Sequence, residues 1–127
     1  MKKILLVDDD NIFNFLSTKL LQRSGLANEI HTAANGQEAL DLLNRYYTRS
    51  SSLPDVILLD LNMPVMDGFA FLEAFQRLKL PRKDAVNIII VTSSDDARDR
   101  ERAKEMGITR YLTKPLSEAN LISALEG

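Results

Sequence analysis

The sequence predicts a doubly wound α/β domain, in which a parallel sheet lies between two layers of helices. Three short apolar runs at 4–7, 55–60 and 86–91 are rich in branched residues and lack the alternation of a half-exposed strand. Such runs are typical of strands that are buried on both faces. Longer segments of helical period separate them, and strands that alternate with helices form parallel sheets through right-handed crossovers. With weaker strand candidates at 29–34 and 109–113, we expect five strands.

Five helices are expected between and after these strands. The first covers 11–24, where apolar residues recur at a spacing of four. The second begins at an Asn-x-x-Glu start signal, Asn35 to Glu38, and runs through Leu43. The remaining segments are helices at Phe69 to Phe75, Ala97 to Met106, and Leu121 to Leu125 after a cap at Ser117, with turn-rich connecting loops at 48–54 and 79–85.

Composition and charge are those of an ordinary globular chain with 45% hydrophobic and 27% charged residues. The net charge of -2 provides no basic field that would hold nucleic acid or an anionic membrane. The absence of cysteine excludes disulfides, zinc thiolate sites and thiol chemistry. No apolar run is long enough for a signal peptide core or a membrane span. We therefore expect one cytoplasmic domain over 1–127, with no direct nucleic-acid contact and no membrane insertion.

Polar side chains follow four of the predicted strands, at the ends that meet along one edge of a parallel sheet. Asp67-Gly68 is interpreted as a turn that starts a helix. Taken singly, each polar side chain at the strand ends also has a structural explanation, such as Asp10 as a helix cap, Thr92 as a partner of a backbone group, or Lys114 as a solvated lysine. Their coincidence at one edge favours a shared site instead. The residues at these ends are Asp8, Asp9 and Asp10, then Asp60 and Asn62, then Thr92, Ser93 and Ser94, and finally Lys114 and Pro115.

The chemistry of this set points to a metal and a phosphoryl group. Neighbouring carboxylates stay ionised at neutral pH only beside a compensating charge. Asp8, Asp9 and Asp60, with a carbonyl near Asn62, offer the oxygen ligands that Mg²⁺ prefers, and no His or Cys cluster indicates zinc or copper. Phosphoryl transfer depends on cations around the phosphoryl oxygens, and Lys114 supplies a second one. A carboxylate held there can itself be the nucleophile and form an acyl phosphate.

Four motifs, in their order and at their intervals, resemble the receiver domain of two-component response regulators and its single-domain chemotaxis members. They are ILLVDDD at the start, LLDLNMPVMDG at 58–68, IIIVTSS, and YLTKPL near the end. The resemblance covers nearly the whole chain. It implies a flavodoxin-like sheet of strand order 2-1-3-4-5 and a single receiver domain without an effector domain.

The resemblance also implies a role for each polar residue at the sheet edge. Asp60 would accept a phosphoryl group from the phosphohistidine of a histidine kinase or a histidine phosphotransfer protein. Asp9 would bind Mg²⁺ directly and Asp8 partly through water. Asn62 would offer its backbone carbonyl to the metal, and Lys114 would contact the phosphoryl oxygens.

A conformational switch is implied as well. Thr92 would swing to bond the phosphoryl group, and Tyr111 would follow inward. This would remodel the face at about 95–125, where a downstream protein would dock. The Lys114-Pro115 bond would be cis. Such a protein is a signalling protein that catalyses its own phosphorylation and dephosphorylation, not an enzyme for a separate substrate.

Four positions bear on how closely this chain matches the family pattern. Ser93 stands where the family usually has Ala or Gly, and its small side chain should leave phosphoryl access open. Asn62 and Ser94 occupy positions that tune the lifetime of the phosphoryl group in the family. Asp10 is placed outside the core site.

Three other functions share part of the pattern. A phosphatase of the haloacid dehalogenase type could use Asp8 and Asp10, but Ile12 stands where that family usually has Thr or Val, and no acidic pair follows Lys114. A receiver-like interaction module that works without phosphorylation would not need the full set of groups. A flavin phosphate binder would want a Gly-rich or Ser/Thr-rich loop after the first strand, where the acids repel phosphate.

Overall fold

The computed structural model describes residues 2–50, 53–80, 82–93 and 96–126. Strands and helices alternate along the chain as β1 Lys2–Val7, α1 Asn11–Ser24, β2 Ala27–Ala33, α2 Gly36–Ser50, β3 Val56–Leu59, α3 Gly68–Arg77, β4 Asn87–Thr92, α4 Ala97–Glu105, β5 Tyr111–Thr113 and α5 Glu118–Glu126. A 3-10 turn, Lys83–Ala85, precedes β4. All strand pairs are parallel, in the order β2-β1-β3-β4-β5. The predicted fold class and strand order are confirmed.

The three interior strands, β1, β3 and β4, carry the core on both faces of the sheet, as the side chains of β1 illustrate. Side chains alternate along a strand, so Leu5 and Val7 point to one face while Ile4 and Leu6 point to the other. Leu5 and Val7 belong to an apolar cluster with residues of α2, α3 and α4, whereas Ile4 and Leu6 belong to a second cluster with residues of α1 and α5. All four are at most 1% exposed. This double burial explains why these strands are continuous apolar runs.

Polar side chains at predicted positions cap four of the helices. Asp10 accepts hydrogen bonds from the N–H groups at the start of α1, and Asp67 does the same for α3. Asn35 accepts from the Glu38 N–H at 2.9 Å, and the Ser117 hydroxyl accepts from α5 in the same way. Each cap satisfies backbone donors that have no partner within the helix. The capping interpretation of Asp10 and Asp67 is therefore confirmed.

The end of α2 differs from the prediction. The helix continues to Ser50, so the predicted loop at 48–54 is wrong for its first three residues. Polar residues alone do not stop a helix, and the sequence holds no Gly or Pro between Gly36 and Pro54. Residues 51 and 52 of that loop, and residue 81 of the second predicted loop, lie outside the described part. Within the described part, no helix is long and apolar enough to cross a membrane.

Helix α1 turns large apolar side chains toward solvent. Ile12, Phe15 and Leu16 are 72%, 61% and 59% exposed, and we refer to them as the α1 stripe. The apolar spacing correctly predicts the helix but not which face is buried. The buried positions are Asn14, Ser17 and Leu21. Asn14 is held inward because its Nδ2 donates to the Asp8 carbonyl at 2.9 Å.

Candidate functional site

The strand order brings four polar chain segments to one edge of the sheet, because β1, β3, β4 and β5 are successive neighbours. Asp8 and Asp60 directly follow β1 and β3, Thr92 ends β4, and Lys114 directly follows β5. Backbone pairing continues past the strands. The Asp60 N–H donates to the Val7 carbonyl at 2.9 Å, and the Lys114 N–H donates to the Thr92 carbonyl at 2.8 Å. The edge also includes the point where strand order reverses around β1, which is where such sheets bind ligands.

Three carboxylates meet at this edge. One oxygen each from Asp8, Asp9 and Asp60 lies within 4.8 Å of the others. Asp8 and Asp60 are only 2% and 6% exposed, whereas Asp9 is exposed. Charges of one sign at this separation repel strongly when water is excluded. The cluster is therefore a place where a cation is strongly favoured.

One ammonium group compensates part of this charge. Lys114 Nζ lies 2.6 Å from Asp8 Oδ2 and 3.9 Å from Asp60 Oδ2, and its side chain is 17% exposed. The other Asp8 oxygen accepts the Asp10 N–H at 2.9 Å. One positive charge against three carboxylates leaves the site with an excess of two negative charges. A divalent cation would balance that excess.

Burial and the neighbouring charge both disfavour ionisation of the central acid, Asp60. The pKa of the Asp60 carboxyl is raised from its usual 3.8 to about 6, first because burial removes water from the carboxylate and then because the Asp8 charge repels it. The Lys114 ammonium and the N–H groups of Asn62 and Leu61 act in the opposite direction without cancelling the rise. An ionised Asp60 is thus a poorly solvated carboxylate, which is suited to act as a nucleophile.

Of the two residues that the resemblance assigns to the switch, Thr92 lies at the strand end beside this cluster and Tyr111 lies at the start of β5. Thr92 is 1% exposed at the end of β4, and Ser93 after it is exposed. Tyr111 is half-buried on β5, where the guanidinium carbon of Arg100 lies 4.3 Å from its ring centroid. Ser94 lies outside the described residues.

The loop after Asp60 is packed tightly against the strand end. A Cβ added to Gly68 would lie 2.5 Å from the Asp60 carbonyl oxygen and 2.8 Å from Leu61 Cα. The Gly68 N–H also donates to the Leu61 carbonyl at 3.0 Å. Within the same loop, Val65 has a φ of 69° and is 84% exposed. A positive φ is rare for a β-branched residue, so the turn holds Val65 in a strained conformation.

The remaining predicted site residues occupy the two loops at this edge. Asn62 is exposed, two residues after Asp60. The Lys114-Pro115 peptide bond is cis, as the resemblance implies. The structure thus brings Asp8, Asp9, Asp60 and Lys114 together, with the Thr92 strand end beside them.

Sequence reasoning missed two residues of α1 that contact this cluster. The Phe13 ring centroid lies 4.2 Å from Lys114 Nζ, and buried Asn14 holds the Asp8 carbonyl. The cap at Asp10 was the signal that could have located them. Residues three and four positions after a helix cap lie about one turn above it, over the strand end that precedes the helix.

Comparison with known proteins identifies one matching family and several relatives of this chain. The family described as response regulator receiver domain matches residues 4–126. PilH of Pseudomonas aeruginosa is 32% identical over 126 residues, which cover 98% of this chain and 95% of PilH. The probable methanogenesis regulatory protein FilR2 of Methanothrix harundinacea is 34% identical over 97% of this chain and 78% of FilR2. Other relatives are longer, and the chain spans 42% of one and 14% of another.

Solved structures agree with this assignment. A two component response regulator from Cytophaga hutchinsonii superposes with a TM-score of 0.88 at 30% identity, over 98% of this chain and 93% of that one. The receiver interpretation of the four sequence motifs is confirmed, and the phosphatase alternative loses its basis. With the family match spanning nearly all of the sequence, the chain belongs to the response regulator receiver domain family.

Proposed function

We propose that this receiver domain accepts a phosphoryl group on Asp60 from the phosphohistidine of a histidine kinase or a histidine phosphotransfer protein in the cytoplasm. The observation that supports this most directly is the cluster of Asp8, Asp9 and Asp60 around the Lys114 ammonium. Receiver domains are signalling domains, and the reaction is one that the chain promotes on itself. It needs positioned charges more than acid or base groups.

The donor set fits Mg²⁺. The residues that would hold it are Asp8, Asp9 and Asp60, together with the backbone carbonyl of Asn62. These are all oxygen ligands, and their excess negative charge suits a hard divalent ion that keeps part of its water. Bound there, Mg²⁺ would supply positive charge to phosphoryl oxygens and favour the ionised form of Asp60.

Three residues of the chain have separate roles in the phosphoryl transfer. An Asp60 oxygen attacks phosphorus, the bond from phosphorus to the histidine nitrogen breaks, and an acyl phosphate remains on Asp60. Lys114 lies 3.9 Å from that carboxylate, close enough to pair with a phosphoryl oxygen. The Thr92 hydroxyl, on the adjacent strand end, would donate a further hydrogen bond.

The new charge would then shift an equilibrium between two arrangements of the surface. Thr92 and Lys114 would satisfy the phosphoryl oxygens in only one arrangement, and Tyr111 would leave the Arg100 guanidinium that covers it in this structure. The output face would be α4, β5 and α5, from about 95 to 125; residue 95 lies outside the described part. Reversing a 1:99 population takes roughly 5.5 kcal/mol, which a charge-assisted network of this kind can supply.

Phosphorylation by a small donor tests the proposal. The protein is incubated with Mg²⁺ and acetyl phosphate, and its intact mass is measured. We expect one added phosphoryl group that requires Mg²⁺ and is absent from Asp60→Asn. No adduct, with Mg²⁺ binding shown by calorimetry, would indicate a module that works without phosphorylation. An adduct that survives in Asp60→Asn but is lost in Asp8→Asn would move the nucleophile to Asp8.

We further propose that the phosphohistidine donor docks on the α1 stripe. The stripe begins at Ile12, two residues after the Asp10 cap, so it is continuous with the rim of the carboxylate cluster. Exposed Val65 lies in the loop that follows Asp60, another residue of the cluster. Apolar side chains that flank a charged pocket are typical of a docking surface for a protein partner. A helix that presents phosphohistidine could pack on the stripe while its imidazole reaches Asp60.

Truncation of Leu16 tests this docking. Leu16→Ala should reduce transfer from an autophosphorylated histidine kinase that phosphorylates the wild-type chain, because about 1.4 kcal/mol of lost apolar contact slows transfer roughly tenfold. The rate with acetyl phosphate is the reference, since this donor needs no docking surface. We expect the ratio of the two rates to fall about tenfold. If both rates fall in parallel, the stripe has no role in docking.

A further inference from the structure

The ring of Phe13 forms one wall of the space that holds the Lys114 ammonium. Its centroid lies 4.2 Å from Nζ, with the Asp8 carboxylate at 2.6 Å and the Asp60 carboxylate at 3.9 Å from the same atom. The lysine side chain is 17% exposed. The ammonium thus lies among two carboxylates and an aromatic face, where partial loss of its water strengthens the attraction between the ring quadrupole and the cation.

Local structure holds the ring in this position. The Phe13 N–H donates to the Asp10 cap at 3.1 Å, which fixes the first turn of α1. Phe13 also lines a groove of about 270 Å³ together with Pro115 and Leu116, the two residues after Lys114. The ring and the lysine are therefore anchored by elements far apart in sequence, α1 and the connection from β5 to α5.

We propose that Phe13 is a positioning residue for Lys114 in phosphoryl transfer, an inference that rests on the proposed function of the site. The ammonium is bonded to Asp8 in this structure and has to reach the oxygens of a phosphoryl group on Asp60. An aromatic face attracts a cation without directional hydrogen bonds, so the ammonium can move across it between these partners. A smaller aliphatic side chain would admit water and let Lys114 leave the site.

Nuclear magnetic resonance of the metal-free protein tests the contact itself. In protein with ¹³C at the lysine ε-carbon, the ε-methylene protons of Lys114 should be shifted upfield by the ring current of Phe13. Phe13→Leu should abolish this shift and Phe13→Tyr should keep it. The matched control is Phe15→Leu on the same helix, where Lys19 Nζ lies 5.4 Å from the ring. That change should move the Lys19 signal and leave the Lys114 signal in place.

The rate of Asp60 phosphorylation tests the positioning role. With Mg²⁺ and acetyl phosphate, Phe13→Leu should lower the rate about tenfold, whereas Phe13→Tyr should stay within about twofold of wild type. Urea unfolding of each variant shows whether the rate depends on the presence of the aromatic ring or on the stability of the fold. Rates that follow stability, or a Phe13→Leu protein that reacts as fast as wild type, would overturn the proposal.

The two measurements separate this inference from the proposed function. Wild-type protein that shows the upfield shift but takes up no phosphoryl group would refute phosphorylation of Asp60, and the positioning role with it. Normal phosphorylation without the upfield shift, or with equal rates in Phe13→Leu and Phe13→Tyr, would refute the role of Phe13 alone.

Discussion

Asp60→Asn is expected to raise the free energy of unfolding of the metal-free protein at pH 7 by roughly 2 to 3 kcal/mol. The pKa of Asp60 is about 6 in the folded chain against 3.8 without its surroundings. Above pH 6 the carboxylate is ionised in both the folded and the unfolded protein. Its ionisation has a higher free-energy cost in the folded protein, because the residue is only 6% exposed and lies beside Asp8. The amide of Asn is nearly isosteric and carries no charge, so this cost disappears.

The sign of the pH dependence follows from the raised pKa. As the pH falls from 6 toward 4, folded wild-type protein takes up a proton that the unfolded chain does not yet bind, so the stability of the wild type rises. The advantage of Asp60→Asn should therefore shrink through this window and vanish below about pH 3.8, as the unfolded carboxyl also becomes protonated. Urea unfolding in a chelator, at several pH values between 4 and 7.5, measures this difference in the free energy of unfolding between Asp60→Asn and the wild type.

Two further measurements test whether the charge of Asp60 causes the change in stability. Asp9→Asn removes the exposed acid of the same cluster, and it should change stability much less because that carboxylate is already solvated. Added Mg²⁺ should stabilise the wild type, since a ligand stabilises only the state that binds it. The wild type should then be more stable than Asp60→Asn. An advantage of Asp60→Asn that is independent of pH would show that the Asp60 charge is not the cause.

Gly68→Ala is expected to destabilise the protein by about 3 kcal/mol and to weaken Mg²⁺ binding. The new Cβ would meet the Asp60 carbonyl oxygen at 2.5 Å and Leu61 Cα at 2.8 Å. Both are backbone atoms at the end of a central strand, so relief requires that the segment carrying the Asp60 carboxylate shifts. The gain in helix propensity from Gly to Ala is at most about 1 kcal/mol and cannot offset this clash.

The chain offers a matched control in Gly36→Ala. Gly36 is the first residue of α2, as Gly68 is of α3. Its added Cβ would meet Met66 Cγ at 2.7 Å and Sδ at 2.9 Å, atoms of a flexible side chain, with the Met66 carbonyl oxygen at 3.0 Å. Because the methionine can change rotamer, we expect less than half the loss of Gly68→Ala. Urea unfolding compares the two stabilities, and calorimetry compares the Mg²⁺ affinities; equal losses would contradict the steric argument.

The sequence by itself determined the class of the fold and the identity of the site groups. Continuous runs such as 55–60 predict strands buried on both faces because their apolar character is local and needs no partner to be recognised. The carboxyl ends of parallel strands share an edge, so the acids after β1 and β3 and the amine after β5 could be grouped before any distance was known. The helix caps at Asn35 and Ser117 could likewise be predicted from the sequence, because a cap acts within one helical turn.

Tertiary structure alone decided the contacts that set the properties of the site. The apolar spacing in α1 predicted a helix but could not show that Asn14 faces inward and Leu16 outward, since the bond from Asn14 to Asp8 depends on how α1 docks. The pairing of Lys114 with Asp8 and its contact with Phe13 likewise join α1 to the end of β5. Coulombic and cation–π energies depend on separations of a few ångströms between residues far apart in sequence, and desolvation depends on the surrounding packing. Sequence pattern identifies these groups, whereas only the packed structure specifies those separations and the exclusion of water around them.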